Sequence, residues 1–178
     1  MFVPNDEAAP PPPPDPRDLA ERAKDQIPLT RPQVRMAPQP PLKSYVGLDT
    51  WLWIPRTQWS PLSKTVTVRT TSVTATATPV RVLWDLTSGS TSCPGPGRPW
   101  IRGMSEAEET ECSYAFDETS DGQPDDAFGV SSTLVYRVDW TCSGLCTASE
   151  GTLGELDSPA GTATIRVGER QSVVVRGG

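Results

Sequence analysis

A long alternation of apolar and polar residues constrains the fold of this chain more than any other feature. In the stretch SVTATATPVRVLWDL, every second residue is apolar, first from Val73 to Ala77 and then from Val80 to Trp84. Because successive side chains of a strand point to opposite faces, this period of two indicates a strand with one buried face. The intervening threonines suit the solvated face of a sheet.

Shorter segments of the same kind occur on both sides of this stretch. KTVTVRT precedes it, and STLVYRVDW, GTATIRV and QSVVVR follow it. In STLVYRVDW, the side chains of Leu134, Tyr136, Val138 and Trp140 fall on one face. Short strands separated by turn residues, without a convincing core helix, are typical of an all-β sandwich. We therefore expect an antiparallel β-sandwich.

The N-terminal part differs in composition, because fourteen of the twenty prolines lie in residues 1–61. The prolines of AAPPPPPDP fix φ and lack an N–H donor, so they predict a polyproline II rod. We expect residues 1–43 to form a proline-rich extended arm and residues 44–178 to form the sandwich domain. Deleting such an arm is expected to leave thermal unfolding of the sandwich nearly unchanged.

Within the arm, DPRDLAERAKDQIP predicts one short helix over residues 16–27, with Asp15 as its N-cap. Leu19, Ala23 and Ile27 recur at every fourth residue and form a narrow apolar stripe. A helix of about three turns is marginal in isolation. It must therefore dock on its own domain or on a partner, and we take these three residues as a candidate partner-binding stripe.

Charge and composition exclude several classes of function. The formal net charge is −6, and residues 62–178 hold the whole acidic excess, so nucleic acid is not an expected partner. The chain has no histidine, which removes the usual general base and the Ser-His-Asp triad. We expect no enzyme; a carboxylate- or metal-dependent hydrolase built on residues 106–126 is a third, less supported interpretation.

The sequence also gives expectations about membranes and export. It contains no run of eighteen apolar residues, so we expect no membrane insertion. The opening MFVPNDEAAP lacks a basic region followed by an apolar region, so no signal peptide is present in this numbering. A secreted form would have to be numbered from after a removed leader.

Four cysteines allow three disulfide pairings. We expect Cys93–Cys112, after the long strand, and Cys142–Cys146, which would close a tight turn. A zinc site with four cysteine ligands is the alternative, but the chain has no C-x-x-C and the spacings fit poorly. An even number of cysteines without metal spacing indicates an oxidising compartment, so we expect a secreted or extracytoplasmic protein.

The acidic segment DETSDGQPDDAF is a weak calcium candidate. Asp117, Thr119 and Asp121 stand at positions 1, 3 and 5 of a calcium-type loop that has glycine at position 6. Asp125 completes the candidate ligand set. Position 12 is not a carboxylate and the motif occurs once, so an acidic, solvated turn is the alternative. We expect no cofactor, with calcium at this segment as the alternative.

Three tryptophans lie close together in YVGLDTWLWIPRTQW. Trp51 and Trp53 share one strand face, and Trp59 lies just beyond it. A solvent-facing aromatic strip would suit glycan stacking or a protein interface. The alternative is that these side chains cover one end of the sandwich or receive the arm.

Several of these segments together resemble one protein family. GLDTWLWI, TATATPVRVLWD, CPGPG, CSYAF and RVGERQSVV are similar to a family of secreted actinobacterial proteins, in which a G-x-x-T-W-L-W-I strand precedes a PKD- or immunoglobulin-like sandwich. The residues from Trp84 to Leu86 match the first half of the PKD turn W-D-F-G-D-G, and the residues from Thr87 to Gly89 replace the rest. The resemblance implies an extracytoplasmic, non-catalytic module without an established activity.

Within this turn we expect Trp84 to fill space between two sheets and Asp85 to accept backbone N–H groups, as in an Asx-turn. The whole sequence then predicts a non-enzymatic, secreted interaction or structural module. Its arm would tether it to another secreted or cell-surface protein. The alternative is a cell-envelope carbohydrate-binding module that uses the tryptophan-rich face.

Overall fold

The computed structural model describes residues 8–170, and most of its regular structure is β. The strands are β1 Arg35–Ala37, β2 Ser44–Tyr45, β3 Asp49–Trp53, β4 Leu62–Val68, β5 Thr71–Asp85, β6 Ser90–Cys93, β7 Ser113–Ala115, β8 Phe128–Gly144, β9 Glu150–Asp157, β10 Gly161–Ile165 and β11 Val167–Gly168. Within this range there is one α-helix, α1 Pro16–Asp25, and there are two 3₁₀ turns. The all-β fold class is confirmed, while the strand expected at QSVVVR lies outside the described residues.

The chain divides into two compact units, and each is described by itself. Unit 1 contains the described residues 8–27, 63–77 and 138–154, and unit 2 contains residues 28–62, 78–137 and 155–170. The long strands β5 and β8 contribute residues to both. The boundary expected between residues 43 and 44 is therefore not where the units divide.

The helix α1 begins where the sequence places it. Asp15 is the N-cap, and its Oδ1 accepts a hydrogen bond from the backbone N–H of Arg17 at 2.9 Å. This bond satisfies one of the donors that a helix start leaves free. Lys24 lies in the last turn, where a cation is favoured by the helix dipole, and pairs with Glu21 at 2.6 Å.

Unit 1 is built around the apolar side of α1. β4 pairs with β5, β9 pairs with β8, and Leu19 and Ala20 form one buried cluster with Val73 and Trp140. Partly buried side chains that pack against this cluster are Val66, Val68, Cys142 and Leu153. Leu19 is 1% exposed, and burying a leucine contributes about 2 kcal/mol. Tertiary packing therefore stabilises a helix that would be marginal alone.

Unit 2 contains several short sheets. β3 lies between β1 and β7 in an antiparallel sheet, with Trp51 opposite Ala37 on one side and Ser113 on the other. β2 and β11 form a parallel pair, β6 pairs with the end of β5, and β10 pairs with the start of β8. Through these pairings, the short strands of unit 2 satisfy many of their backbone N–H and C=O groups.

Aromatic and aliphatic side chains fill the interior of unit 2. The rings of Phe116, next to β7, and Phe128, at the start of β8, stack with centroids 5.4 Å apart. Leu52 and Ile54 are 0% and 1% exposed, and Trp84 is 1% exposed. Trp84 thus has the core position expected from its alternating strand, and its loss would remove one of the largest buried side chains.

The strand β5 follows the predicted alternation with one shift. Buried and half-buried residues alternate from Thr71 to Pro79, then both Val80 and Arg81 are half-buried, and the alternation resumes at Val82. Val80, expected on the buried face, is therefore only half-buried. Pro79 lies within β5, three residues before Val82, where the pairing with β6 begins.

Asp85 has the turn-forming role expected for it. Its Oδ1 accepts a hydrogen bond from the backbone N–H of Thr87 at 2.9 Å. Thr87 has a φ of 68°, in the left-handed region, and its hydroxyl donates to the carbonyl of Gly129 at 2.8 Å. The aspartate and the threonine hydroxyl together hold a backbone conformation that a threonine rarely adopts.

Both predicted disulfides are confirmed. Cys93 and Cys112 are joined with Cα atoms 5.6 Å apart, and Cys142 and Cys146 with Cα atoms 6.1 Å apart. Two disulfides fit an extracytoplasmic protein. Among residues 8–170, no helix has the length and apolar character needed to cross a bilayer.

The segment that follows α1 is part of unit 2 rather than a free tether. The Arg31 guanidinium donates to the carbonyl of Ala160 at 2.7 Å, and the Gln58 side chain bonds the backbone of Arg31. The carbonyl of Pro32 lies so close to Gly161 that a Cβ there would be 1.6 Å from it. Because β1 then joins β3, the latter part of the expected arm belongs to the sandwich.

We expect stability to fall at alkaline pH through Tyr136, which is 2% exposed. Burial raises the pKa of its phenol above the usual value of about 10. A raised folded-state pKa gives stability that is complete below pH ~10 and is lost as pH rises through the folded pKa. Urea unfolding of Tyr136→Phe should therefore lose less stability between pH 9 and 11 than the parent chain. Equal losses would contradict this assignment.

Candidate functional site

The proline segment, residues 8–15, is exposed over most of its length and has a recognition chemistry of its own. Residues 8–13 are exposed, Pro14 is half-buried, and Pro16, at the start of α1, is buried. The Arg69 guanidinium donates to the carbonyl of Pro12 at 3.3 Å. The hydrogen bond from Arg69 and the connection to α1 thus hold the segment in place, while its proline rings face solvent.

The helix stripe lies inside the chain rather than on its surface. Leu19 is 1%, Ala23 0% and Ile27 6% exposed. The sequence left open whether this helix docks on its own domain or on a partner, and in the structure it docks on its own domain. With these side chains buried, the stripe offers no surface to a partner in this arrangement.

The three tryptophans do not form a continuous exposed strip. Trp51 is 8% exposed, and the guanidinium of Arg98 lies 5.8 Å from the centroid of its ring. Trp53 and Trp59 are half-buried. A cation over an indole is itself a favourable contact, so Arg98 would compete with a sugar ring for this face of Trp51.

A loop closed by the Cys93–Cys112 disulfide presents the apolar residues Trp100 and Ile101, which are 41% and 65% exposed. Arg98 holds this loop, because its Nη1 lies 2.8 Å from Glu108 Oε2 and donates to the Glu109 carbonyl at 3.0 Å. Sequence reasoning did not single out this pair. The available signal was a Trp-Ile dipeptide outside any alternating strand, between a proline and an arginine.

A cavity of about 490 Å³ lies beside the same disulfide. Residues 93–99 and 109–112 line it together with Arg56, so prolines and glycines form much of its wall. Its charged lining residues are two arginines and two glutamates, which sum to no net charge.

The acidic segment folds as a turn whose side chains bond within it. The Thr119 hydroxyl donates to Asp121 Oδ2 at 3.2 Å, and Asp126 Oδ1 accepts from the backbone N–H of Gly122 at 3.2 Å. Within residues 8–170, no three or more His, Cys, Asp or Glu side chains are grouped so that they could hold a metal ion. The structure thus does not assemble the calcium candidates Asp117, Asp121 and Asp125 into a ligand set.

A bidentate ion pair is the clearest electrostatic contact in unit 2. The guanidinium of Arg81 donates to both carboxylate oxygens of Glu155, at 2.8 and 2.6 Å. This hydrogen bonding lowers the pKa of Glu155 and raises that of Arg81. Glu155 is exposed and Arg81 is half-buried, so water screens the pair, which joins β5 to β9.

Comparisons with known proteins complete the description of these surfaces. No family model, no curated protein and no solved structure matched this chain. The resemblance to secreted PKD-like proteins therefore stays a prediction from the motifs. What these surfaces do must be argued from their own chemistry.

Proposed function

We propose that this chain is a non-enzymatic, secreted interaction module that presents its exposed proline segment to a protein partner. The observation behind the proposal is that the prolines face solvent while the helix directly after them is docked. The two disulfides support the extracytoplasmic location. The partner is another secreted or cell-surface protein.

Two physical properties of the segment support this role. Consecutive prolines have fixed φ and little conformational freedom, so binding them costs less ordering entropy than binding a flexible peptide. They also lack N–H donors and present ring faces, which dock into grooves lined by aromatic side chains. A partner with such a groove is the expected class.

The proposal is tested by changing the segment alone. Replacing the five prolines from Pro10 to Pro14 with GSGSG keeps the length of the segment but removes its rings and its stiffness. The full chain and this variant would capture proteins from secreted and envelope fractions of the native source, with quantitative mass spectrometry as the readout. We expect at least one protein to be retained by the full chain and reduced about tenfold with the variant, since roughly 1.4 kcal/mol changes binding tenfold.

Leu42→Ala is the matched control, because it removes an apolar side chain that is 68% exposed elsewhere on the chain. It should retain the same proteins as the parent. If the GSGSG variant retains them equally well, partner binding through the proline segment is excluded.

The alternative function, a carbohydrate-binding module, is supported less well. It needs stacking faces, and of its three tryptophans Trp51 is buried while Trp53 and Trp59 are half-buried. Titration of the chain with soluble fragments of peptidoglycan and chitin, followed by tryptophan fluorescence, separates the two functions. Saturable binding that Trp59→Ala abolishes would favour the carbohydrate module.

A further inference from the structure

The two disulfides differ in how exposed their cysteine residues are. Cys93 and Cys112 are each 2% exposed. Cys142 and Cys146 are half-buried, and the residues between them, Ser143 to Leu145, are exposed. Because thiol–disulfide exchange needs direct attack on a sulfur atom, a reductant reaches Cys142–Cys146 more readily.

The five residues 142–146, which we call the clasp, are bonded to the turn between β4 and β5. The backbone N–H of Leu145 donates to the carbonyl of Thr70 at 3.2 Å, and the Thr71 hydroxyl donates to the carbonyl of Leu145 at 2.7 Å. Gly144 has a φ of 88°, and a Cβ there would lie 1.7 Å from the Thr70 carbonyl. The closed ring therefore fits directly against this turn.

The clasp is also part of the packing that holds α1. Cys142 packs against the cluster formed by Leu19, Ala20, Val73 and Trp140. The disulfide closes residues 142–146 into a ring that contains both Cys142 and Leu145, the residue bonded to the β4–β5 turn. We infer that the Cys142–Cys146 disulfide is a redox-sensitive device that controls the docking of α1. Its effect on presentation of the proline segment rests on the function proposed above.

A dithiol reductant, such as dithiothreitol or a dithiol oxidoreductase, opens the clasp in two steps. A thiolate of the reductant attacks one sulfur, the S–S bond breaks, and a mixed disulfide forms. The second thiol of the reductant then displaces the remaining cysteine. The reductant gives up two electrons and leaves as a disulfide, and its two protons end on the thiols of Cys142 and Cys146.

The test follows the whole oxidised chain through graded dithiothreitol. Alkylation and peptide mapping identify which disulfide opens first, and hydrogen exchange with mass spectrometry follows the amides of residues 16–25. We expect Cys142–Cys146 to open first and the helix amides to exchange about tenfold faster, while β1 and β3 exchange as before. The inference is overturned if Cys93–Cys112 opens first, if both open together, or if helix exchange is unchanged.

Two variants test the coupling without a reductant. The pair Cys142→Ala and Cys146→Ala should reproduce the fast helix exchange of the reduced chain. Thr71→Val keeps the disulfide and the side-chain shape but removes the bond to Leu145, so it should raise helix exchange by a smaller factor. If the helix amides of either variant exchange as slowly as those of the parent chain, the inferred role of the clasp is contradicted. None of these measurements needs a partner. Their outcome therefore tests the clasp independently of the proposed function.

Discussion

Replacing Leu19 with alanine is expected to lower the free energy of unfolding by about 3 kcal/mol. A leucine-to-alanine change at a fully buried site removes apolar contact and leaves a cavity, which typically costs ~2–5 kcal/mol. Leu19 is 1% exposed and belongs to the cluster with Val73 and Trp140. Urea unfolding of the oxidised protein at neutral pH would measure the loss.

Arg22→Ala is the matched control, because Arg22 lies on the same helix and is exposed. It should change stability by less than about 0.5 kcal/mol. If Leu19→Ala behaves like Arg22→Ala, the helix does not contribute to the stability of unit 1. A large loss instead means that the helical part of the arm cannot be deleted without cost, contrary to the separable arm expected from the sequence.

Removing the Cys93–Cys112 disulfide by a double alanine substitution is expected to cost about 3 kcal/mol. The residues it joins are 19 apart in sequence. In the chain-entropy model, a closed loop of that size removes roughly 3 kcal/mol of unfolded-state freedom. Both cysteines are 2% exposed, so alanine also leaves a small cavity. Chemical denaturation, with the other disulfide intact, gives the value.

The matched comparison is the double alanine variant of Cys142 and Cys146. These residues are only 4 apart, and the same model gives about 2 kcal/mol for so short a loop. We therefore expect the first variant to unfold at a clearly lower urea concentration than the second. The reverse order would show that contacts of the clasp, rather than loop length, dominate.

Features with a strong local signal were predicted correctly from the sequence. The alternation in β5 and β8, the N-cap at Asp15 and the Asp85 turn each depend on a few neighbouring residues. The disulfide pairing was also correct, since each bridge joins cysteines close in sequence. β1 was missed as a sheet strand because three residues, Arg-Met-Ala, are too few to show a period.

The functional surfaces were less predictable, because they depend on contacts between distant residues. Trp51 is covered by Arg98, which lies far along the chain in the disulfide-closed loop. The helix stripe had two possible docking places, and only the packing of Leu19 on Val73 and Trp140 distinguishes them. Sequence patterns give the faces of elements, but the partner of each face is decided by the tertiary fold.

The junction between the proline segment and α1 has a geometric consequence. In the polyproline II conformation that the sequence predicts, the chain rises about 3.1 Å per residue with three residues per turn, so the five prolines would span roughly 15 Å. Because α1 begins right after them and is anchored, the rotational phase of the rings is fixed relative to unit 1. Three added prolines would move a partner bound to the segment outward by about 9 Å without rotating it. One added proline would instead rotate the bound partner by about 120° around the axis of the segment. The number of prolines thus sets both the distance of a bound partner from unit 1 and the direction that this partner faces.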